Sequence, residues 1–414
     1  MKIYFERYSI GEIEENGGNP PVFRYDPAWL SLSGAFPIST TMPLREDAYG
    51  WEILAPWLLN LLPEDSDTIR TIARIVDVPH TDVLGLLERV GRDTSGAVSF
   101  AERGSTEPNV LPVDSAGDLE KIIDELPRKP FLAGDEGVSM SLAGVQTKLS
   151  VRMMPDGRIG IPVDGAASSH ILKPDSKNLW GSVFNEAFCM TLAQRVGVPA
   201  PAVTTGKAGG RDYLLVARYD RSQEGAALRR LHQEDFCQAL GLPPSAKYQH
   251  SQFRGPKGSF AKMVDRLREV GAGGEVLRIW DAMVFNVLCC NTDAHMKNYS
   301  ILITGGGIEL APIYDVMCAA VWDGITKNLA LDVADKRVGD YIERRHWERE
   351  AQKCGLRPAA AISRVKTLAE KMLKETKLAK EQIEAMPAGG HALLDDVERA
   401  VVRRCETILS GLTR

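Results

Sequence analysis

No apolar run in the chain approaches the length of a membrane-spanning helix, and the opening "MKIYFERYS" lacks the apolar stretch of a signal peptide. A cytoplasmic protein without a membrane anchor is therefore expected. There is no CxxC pair. The seven cysteines (Cys189, Cys237, Cys289, Cys290, Cys318, Cys354, Cys405) are scattered and odd in number, which argues for reduced thiols rather than a disulfide framework. Positive charge is not in surplus either: 50 Lys and Arg face 55 Asp and Glu, for a net charge of −5. Proteins that grip nucleic acid unaided are usually basic, so any DNA contact is expected at a local patch or through a partner. Arg229, Arg230, Lys247, Arg254 and Lys257 are the candidates for such a patch, and ordinary solvated charges are the plainer reading of them. No internal repeat is visible.

What is present is enough chain, 414 residues, for two or three domains. Residues 1–45 read as strands: "KIYFERY" alternates, "VFRYD" follows, and Gly17-Gly18-Asn19-Pro20 supplies a turn between them. Residues 51–103 read as helices with 3.6-residue apolar spacing, the last with Thr81 as N-cap and Gly91 as stop, before "GAVSFAERG" returns to strand. A Pro- and acid-rich stretch at 104–136 with one short helix at 117–126 marks a boundary. Residues 137–216 are strand-rich. "KLSVRMM" and "GRIGIPV" form a hairpin around "PDG", "SHILKP" is a further strand, "VFNEAFCMTLAQRVG" is a helix, and two strands flank Gly209-Gly210. From about 220 the pattern turns helical, "HQEDFCQALG" included, broken by the short hairpin "SILITGGGIELAPIYD". The expected division is 1–105, a mixed α/β subdomain; 106–216, a small β-rich lobe; and 217–414, an all-α lobe. A small β lobe joined to a large α lobe is how kinase-type phosphotransferases are built, an analogy that sets an expectation only.

The densest polar cluster is "NTDAHMKNYS" at 291–300, directly after the apolar "WDAMVFNVLCC". Polar groups taken out of water need partners. In protein kinases a catalytic Asp precedes a metal-binding Asn by five residues, and Asp293 precedes Asn298 by five. A second metal-binding Asp is expected after a short hairpin, where Asp315 stands in "APIYDV". Hard oxygen ligands suit Mg²⁺. Upstream, Lys173 in "HILKP" and Glu186 on the following helix match the Lys–Glu pair that positions a phosphate-binding lysine. "SMSLAGVQTK" (139–148) has the small residues that let backbone N–H groups approach phosphate, although it is neither GxxxxGK[ST] nor GxGxxG. Other readings stay open: a capped helix end followed by a polar loop, solvated surface charges, a plain turn, or a metal hydrolase built on Asp293 and His295.

Taken in order, "SLAGVQTKLSV", "HILKPD", "NEAFCMTLAQRVGVPAP", "LLVARYDR", "LHQEDFCQALGLPPSAKY", "NTDAHMKNYS" and "PIYDV" resemble the HipA family of bacterial toxin kinases, and "LLPE" and "GRDTSGAVSF" fit its N-terminal domain. The resemblance covers almost the whole chain. It implies an α+β, protein-kinase-like bilobal fold, distantly similar to phosphatidylinositol kinases, with an extra N-terminal α/β subdomain. It implies serine/threonine kinase activity with ATP and Mg²⁺. By resemblance, Ala143, Gly144, Val145, Gln146, Thr147 and Lys148 cover the phosphates and Lys173 contacts them. Ala217, Arg218 and Tyr219 form the adenine hinge, mainly through backbone groups. Asp293 is the catalytic base. His295, Met296, Lys297, Asn298, Tyr314 and Asp315 complete the nucleotide site, with Asn298 and Asp315 on the metal. Ser141 matches the family's autophosphorylated serine, with Ser139 a second candidate. The implied partners are a HipB-type helix-turn-helix antitoxin, operator DNA through that antitoxin, and a protein substrate of the aminoacyl-tRNA synthetase class, glutamyl-tRNA synthetase most typically. The implied outcome is growth arrest or persistence. Two alternatives remain: an antitoxin-bound co-repressor with little kinase activity, and a small-molecule or lipid kinase, against which the lack of a basic amphipathic membrane segment speaks.

Overall fold

The computed structural model describes residues 1–15, 17–101, 109–225 and 227–413. The N-terminal strands form as expected. β1 (Lys2–Phe5), β2 (Tyr8–Glu14) and β3 (Val22–Tyr25) join a two-residue β4 (Val98–Ser99) in an antiparallel sheet ordered β3-β2-β1-β4. The short α1 (Pro27–Leu30) precedes three helices, α2 (Trp51–Leu59), α3 (Ser66–Val76) and α4 (Val83–Val90). Helix α4 is capped one residue later than expected. Asp82, not Thr81, accepts the amide of Gly85 at 2.9 Å, and either residue type is a good cap. The tail of the strand expected after Gly96, residues 102–104, lies outside the described residues.

The second sheet is antiparallel and ordered β5-β7-β6-β8-β10-β9. Its strands are β5 (Asn109–Pro112), β6 (Leu149–Met153), β7 (Ile159–Val163), β8 (His170–Pro174), β9 (Val203–Ala208) and β10 (Arg211–Ala217), with α5 (Ala116–Glu125) and α6 (Ser182–Val196) between them. The "PDG" turn closes the β6–β7 hairpin with Gly157 at φ 84°, a left-handed conformation that glycine takes without a Cβ clash. Pro112 sits on the edge strand, where a missing N–H is tolerated.

The C-terminal part is rich in helix but not all-helical, which corrects the expectation for 217–414. It contains the hairpin β11 (Arg221–Glu224) and β12 (Ala227–Arg230), the sheet of β13 (His232–Asp235), β14 (Ser300–Thr304) and β15 (Gly307–Leu310), and the pair β16 (Asn328–Val333) and β17 (Lys336–Val338). "HQEDFCQALG" is half strand and half helix. His232–Asp235 pairs with β14, and α7 (Phe236–Ala239) starts only where Asp235 accepts the Gln238 amide at 2.9 Å while the Gln238 side chain accepts that of Asp235 at 3.0 Å. This reciprocal cap starts the helix at Phe236. The helices that follow are α8 (Phe260–Glu269), α9 (Val276–Leu288), α10 (Arg344–Lys353), α11 (Pro358–Glu384) and α12 (Leu393–Gly411). Helix α6 is buried almost all round, between β9 and β10 on one side and α11 and α12 on the other. A helix buried on all faces offers a protected place for a charged partner, and Glu186 occupies it. No described helix is long and apolar enough to cross a membrane, and all seven cysteines are buried and free.

Buried ions join the N-terminal region to the rest. Asp93, 2% exposed, faces Arg221 at 2.8 Å, Arg230 at 3.1 Å and Arg218 at 3.6 Å, and Ser168 Oγ donates to it at 2.6 Å. Asp220 pairs with Arg218 at 2.6 Å and accepts the Gly96 amide at 2.7 Å. Burial alone would raise the Asp93 pKa, but the three guanidiniums overcome it and hold the carboxyl well below the ordinary range. Removing one member of a buried ionic set costs about 3–5 kcal/mol. Asp93→Ala is expected to lower stability by about that much at pH 7, read from urea denaturation midpoints. Because the folded pKa is depressed, the stabilisation is present above the unfolded value, so the gap from wild type should narrow as pH falls below about 4.

Candidate active site

Lys173 lies on β8 opposite Leu214 of β10, and its ammonium is buried. It meets Glu186 of α6 at 2.6 Å and also bonds Asp315. The expected Lys–Glu partnership is thus a contact in the structure, across one sheet-to-helix interface. Burial works against the charged lysine, yet Asp315 and Glu186 together raise its pKa. Glu186 is pushed up by burial, with Lys173 opposing. Asp315, in a left-handed backbone conformation at φ 54°, is resisted by burial but brought down to about 2 by Lys173 and Lys148. A bulkier non-glycine residue pays for such a backbone conformation, which is found most often at functional positions.

Lys148 is the second buried cation. Its ammonium returns to the carbonyl of Ala143 and stands 2.6 Å from where a Cβ on Gly144 would lie, at φ 107°. Burial and repulsion by Lys173 bring its pKa down to about 8, against the pull of Asp315. The segment from Ala143 to Lys148 is therefore a loop folded over its own lysine. Val145 and Thr147 are exposed, while Ala143, Gly144 and Gln146 are half-buried.

Both loop serines are held by the N-terminal region. Ser141 is fully buried and donates to the Leu61 carbonyl at 2.9 Å, and its amide donates to the Asp93 carbonyl at 3.1 Å. Ser139 donates to the Arg89 carbonyl at 2.7 Å, and its own carbonyl accepts the Asp93 amide at 3.1 Å.

The 291–300 loop divides its polar groups between two directions. Asp293 is exposed and accepts the Tyr248 hydroxyl at 2.7 Å. Asn298 Oδ1 accepts the His295 amide at 3.2 Å. His295 is buried with Nδ1 unpartnered, and burial with Lys247 and Lys297 nearby drives its pKa well down, so it is neutral. Two residues expected in the nucleotide site point elsewhere. Lys297 turns to Asp235 at 2.6 Å and to the Asn60 side chain at 2.7 Å, fastening the loop to the N-terminal region. Met296 is core, packed where Gly258 leaves space. Tyr314 donates to the Lys297 carbonyl at 2.5 Å and stacks on Tyr219 with ring centroids 5.5 Å apart. At the expected hinge, the amides of Ala217 and Arg218 are already taken by the carbonyls of Ala202 and Ser169 at 2.9 Å each, and the Arg218 side chain belongs to the Asp93 ion cluster. The five basic residues form no single patch. Arg230 is buried on Asp93, Arg229 pairs with Glu6, and Lys247 pairs with Glu64.

The donor set suits a nucleotide with a divalent cation. Asp315 Oδ1 accepts from Lys173, the Lys148 ammonium faces the same carboxylate, and Asn298 offers an amide oxygen on the loop that carries Asp293. Among the described residues no cluster of three His, Cys, Asp or Glu side chains forms a metal cage. One carboxylate and one amide is the sparse protein share typical of Mg²⁺ held mainly by phosphate and water. Sequence reasoning missed Tyr248, Glu64, Asn60 and Asp93. All four stand within or beside the quoted segments "PSAKY", "LLPE" and "GRDTSGAVSF", but nothing in their local spacing shows what they touch.

Fold and site together define a kinase-like, bilobal α+β protein. The profile of the HipA N-terminal domain matches residues 1–101 and that of the HipA-like C-terminal domain matches residues 140–376, and the chain belongs to the HipA family. It is 34% identical to protein Y4mE of Sinorhizobium fredii over 367 residues, 86% of each chain. It is 31% identical to the serine/threonine-protein kinase toxin HipA of Shewanella oneidensis over 317 residues, 73% of this chain and 71% of that one. HipA from a Shewanella oneidensis complex with HipB and operator DNA superposes with a TM-score of 0.84 at 24% identity, covering 99% of this chain and 97% of that one, which shows the shared fold.

Lys173→Met leaves Glu186 and Asp315 facing each other without their cation. We expect a loss of about 3–5 kcal/mol at pH 8 that shrinks at pH 5. The unpaired carboxyls would then have raised folded pKa values, so stability is lost as pH rises through them. Urea midpoints at the two pH values check this.

Proposed function

We propose that the chain is an ATP- and Mg²⁺-dependent serine/threonine protein kinase and the toxin of a HipBA-type toxin–antitoxin system. The observation that carries the reading is Lys173, pinned between Glu186 and Asp315 beside Lys148, with Asp293 and Asn298 on the neighbouring loop. The working division is 1–105, 106–216 and 217–414. Lys148 and Lys173 hold phosphate oxygens, and Asn298 and Asp315 hold the metal. When bound, the metal neutralises phosphate charge and polarises the transferring group. Asp293 takes the proton of the acceptor hydroxyl.

The family relationship supports a HipB-type antitoxin as partner, contact with operator DNA through it, and co-repression of the operon. The substrate is a translation component, an aminoacyl-tRNA synthetase and most typically glutamyl-tRNA synthetase. Its phosphorylation leads to growth arrest and persistence. The cell compartment is the bacterial cytoplasm.

Autophosphorylation falls on Ser141, with Ser139 the second site. The Ser141 hydroxyl is buried against Leu61, so modification requires the 139–148 segment to leave its seat. About −2 charges added there then oppose its return beside a nucleotide.

Incubating the full chain with Mg²⁺ and γ-labelled ATP, beside Asp293→Ala, tests the reading by intact mass and peptide mapping. One phosphate on Ser141 or Ser139 of the wild type, absent in the variant, is expected. A wild type that binds ATP but gains no phosphate would favour the co-repressor or small-molecule kinase instead.

A further inference from the structure

Tyr248 is the hydrogen-bond donor on Asp293. Its hydroxyl reaches Asp293 Oδ1 at 2.7 Å, and its ring stands edge-on to His295, with centroids 5.2 Å apart at 85°. The backbone on either side is sewn to the same loop that carries Asp293. The Met296 amide donates to the Lys247 carbonyl at 3.2 Å. The Gln249 amide donates to Ala330, whose own amide donates to the carbonyl of Thr292, the residue before Asp293, at 3.0 Å. Lys247 is held in turn by Glu64 of the N-terminal region and lies 5.1 Å from the Tyr248 ring. The two backbones that carry the phenol and the carboxylate are thus held together by main-chain hydrogen bonds, one direct and one through Ala330.

A carboxylate has two oxygens, and a base in this position needs one of them for its substrate. A lysine or arginine on the other oxygen would orient it but would also depress its basicity by a full charge. A phenol orients it with a single neutral bond. The groups facing Asp293 are Tyr248, Lys247, Asp315 and Glu64. Asp293 keeps contact with solvent, but the packed groups around it desolvate it in part and raise its pKa; Tyr248 and Lys247 lower it, Asp315 and Glu64 raise it, and the net direction is upward. Tyr248 keeps its own proton, because burial and the Asp293 charge hold the phenol well above the ordinary tyrosine range.

We infer that Tyr248 is the positioning residue of the catalytic base, holding Asp293 by Oδ1 so that Oδ2 receives the proton of the acceptor hydroxyl. The inference rests on the kinase reading. In the step it serves, the acceptor O–H bond breaks and its proton passes to Oδ2. The acceptor oxygen bonds the γ-phosphorus. The bond from that phosphorus to the bridging oxygen breaks, and its electron pair leaves on ADP.

The test is the autophosphorylation rate of the full chain with Mg²⁺ and ATP, measured against ATP concentration and pH for wild type, Asp293→Asn, Tyr248→Phe and Tyr248→3-fluorotyrosine. Tyr248→Phe is expected to lower the saturated rate about 10- to 100-fold, to leave the half-saturating ATP concentration within about two-fold, and to move the acid limb of the rate profile to higher pH. The fluorinated residue keeps ring and hydroxyl but is a stronger donor, so it should move the acid limb to lower pH even if the Phe variant folds poorly. A wild-type rate and an unmoved acid limb in both Tyr248 variants would overturn the inference and leave the kinase reading intact. A wild-type rate in Asp293→Asn would overturn the inference by removing Asp293 as the base, and a wild type without transfer would remove the kinase reading and the inference together.

Discussion

An ionised carboxylate that water scarcely reaches must be neutralised where it stands, and much of the molecule is arranged around doing this for Asp93. Its three guanidinium partners all lie beyond residue 217, on the far side of the boundary from the N-terminal sheet. Peeling the N-terminal region away would take Asp93 from all three, leaving Arg218 and Arg221 to share Asp220 and Arg230 without its carboxylate. The same residue's backbone amide and carbonyl hold Ser139 and Ser141. The charge that joins the two regions therefore also seats the start of the loop that reaches Lys148, and Arg218, directly after the hinge strand, is part of the same cluster.

The active-site charges follow a similar rule with a different outcome. Lys148 and Lys173 offset Glu186 and Asp315, so the group is close to neutral as it stands. A triphosphate entering there would bring more negative charge than two lysines already shared with carboxylates can absorb, and on the proposed reading a divalent cation on Asp315 and Asn298 would make up the difference. Lys148 is the adjustable member. Its pKa near 8 reflects burial and the neighbouring Lys173, against the pull of Asp315.

Much of this was legible in the chain. The five-residue step from Asp293 to Asn298, the thirteen-residue step from Lys173 to Glu186 and the hairpin before Asp315 are local patterns, and local patterns survive in a single sequence. The contacts that were not foreseen span long separations. Lys297 meets Asn60 across 237 positions and Arg230 meets Asp93 across 137. No periodicity encodes such a pairing. Lys297 was expected to help complete the nucleotide site because its neighbours in sequence are site residues, yet its side chain turns to Asp235 and Asn60, two buried acceptors that give a lysine a better-paired home. The strand at His232–Asp235 was misread for a related reason. Its apolar spacing fits a helix, but Asp235 caps the helix that begins after it, and β14 supplies the hydrogen bonds that keep the preceding residues extended.

The N-terminal region consequently reaches the loop that carries Asp293. From it Asn60 holds Lys297, together with Asp235 of β13, and Glu64 holds Lys247; near these two lysines lie Tyr248, Asp293 and His295. Replacing either anchor would not remove a group that touches substrate, but it would release a buried ammonium beside the base. Because the loop's backbone is bonded to the Tyr248 segment on both sides, such a charge cannot relax by moving one side chain alone. A region that looks accessory by sequence position is therefore part of what sets the direction and the basicity of Asp293.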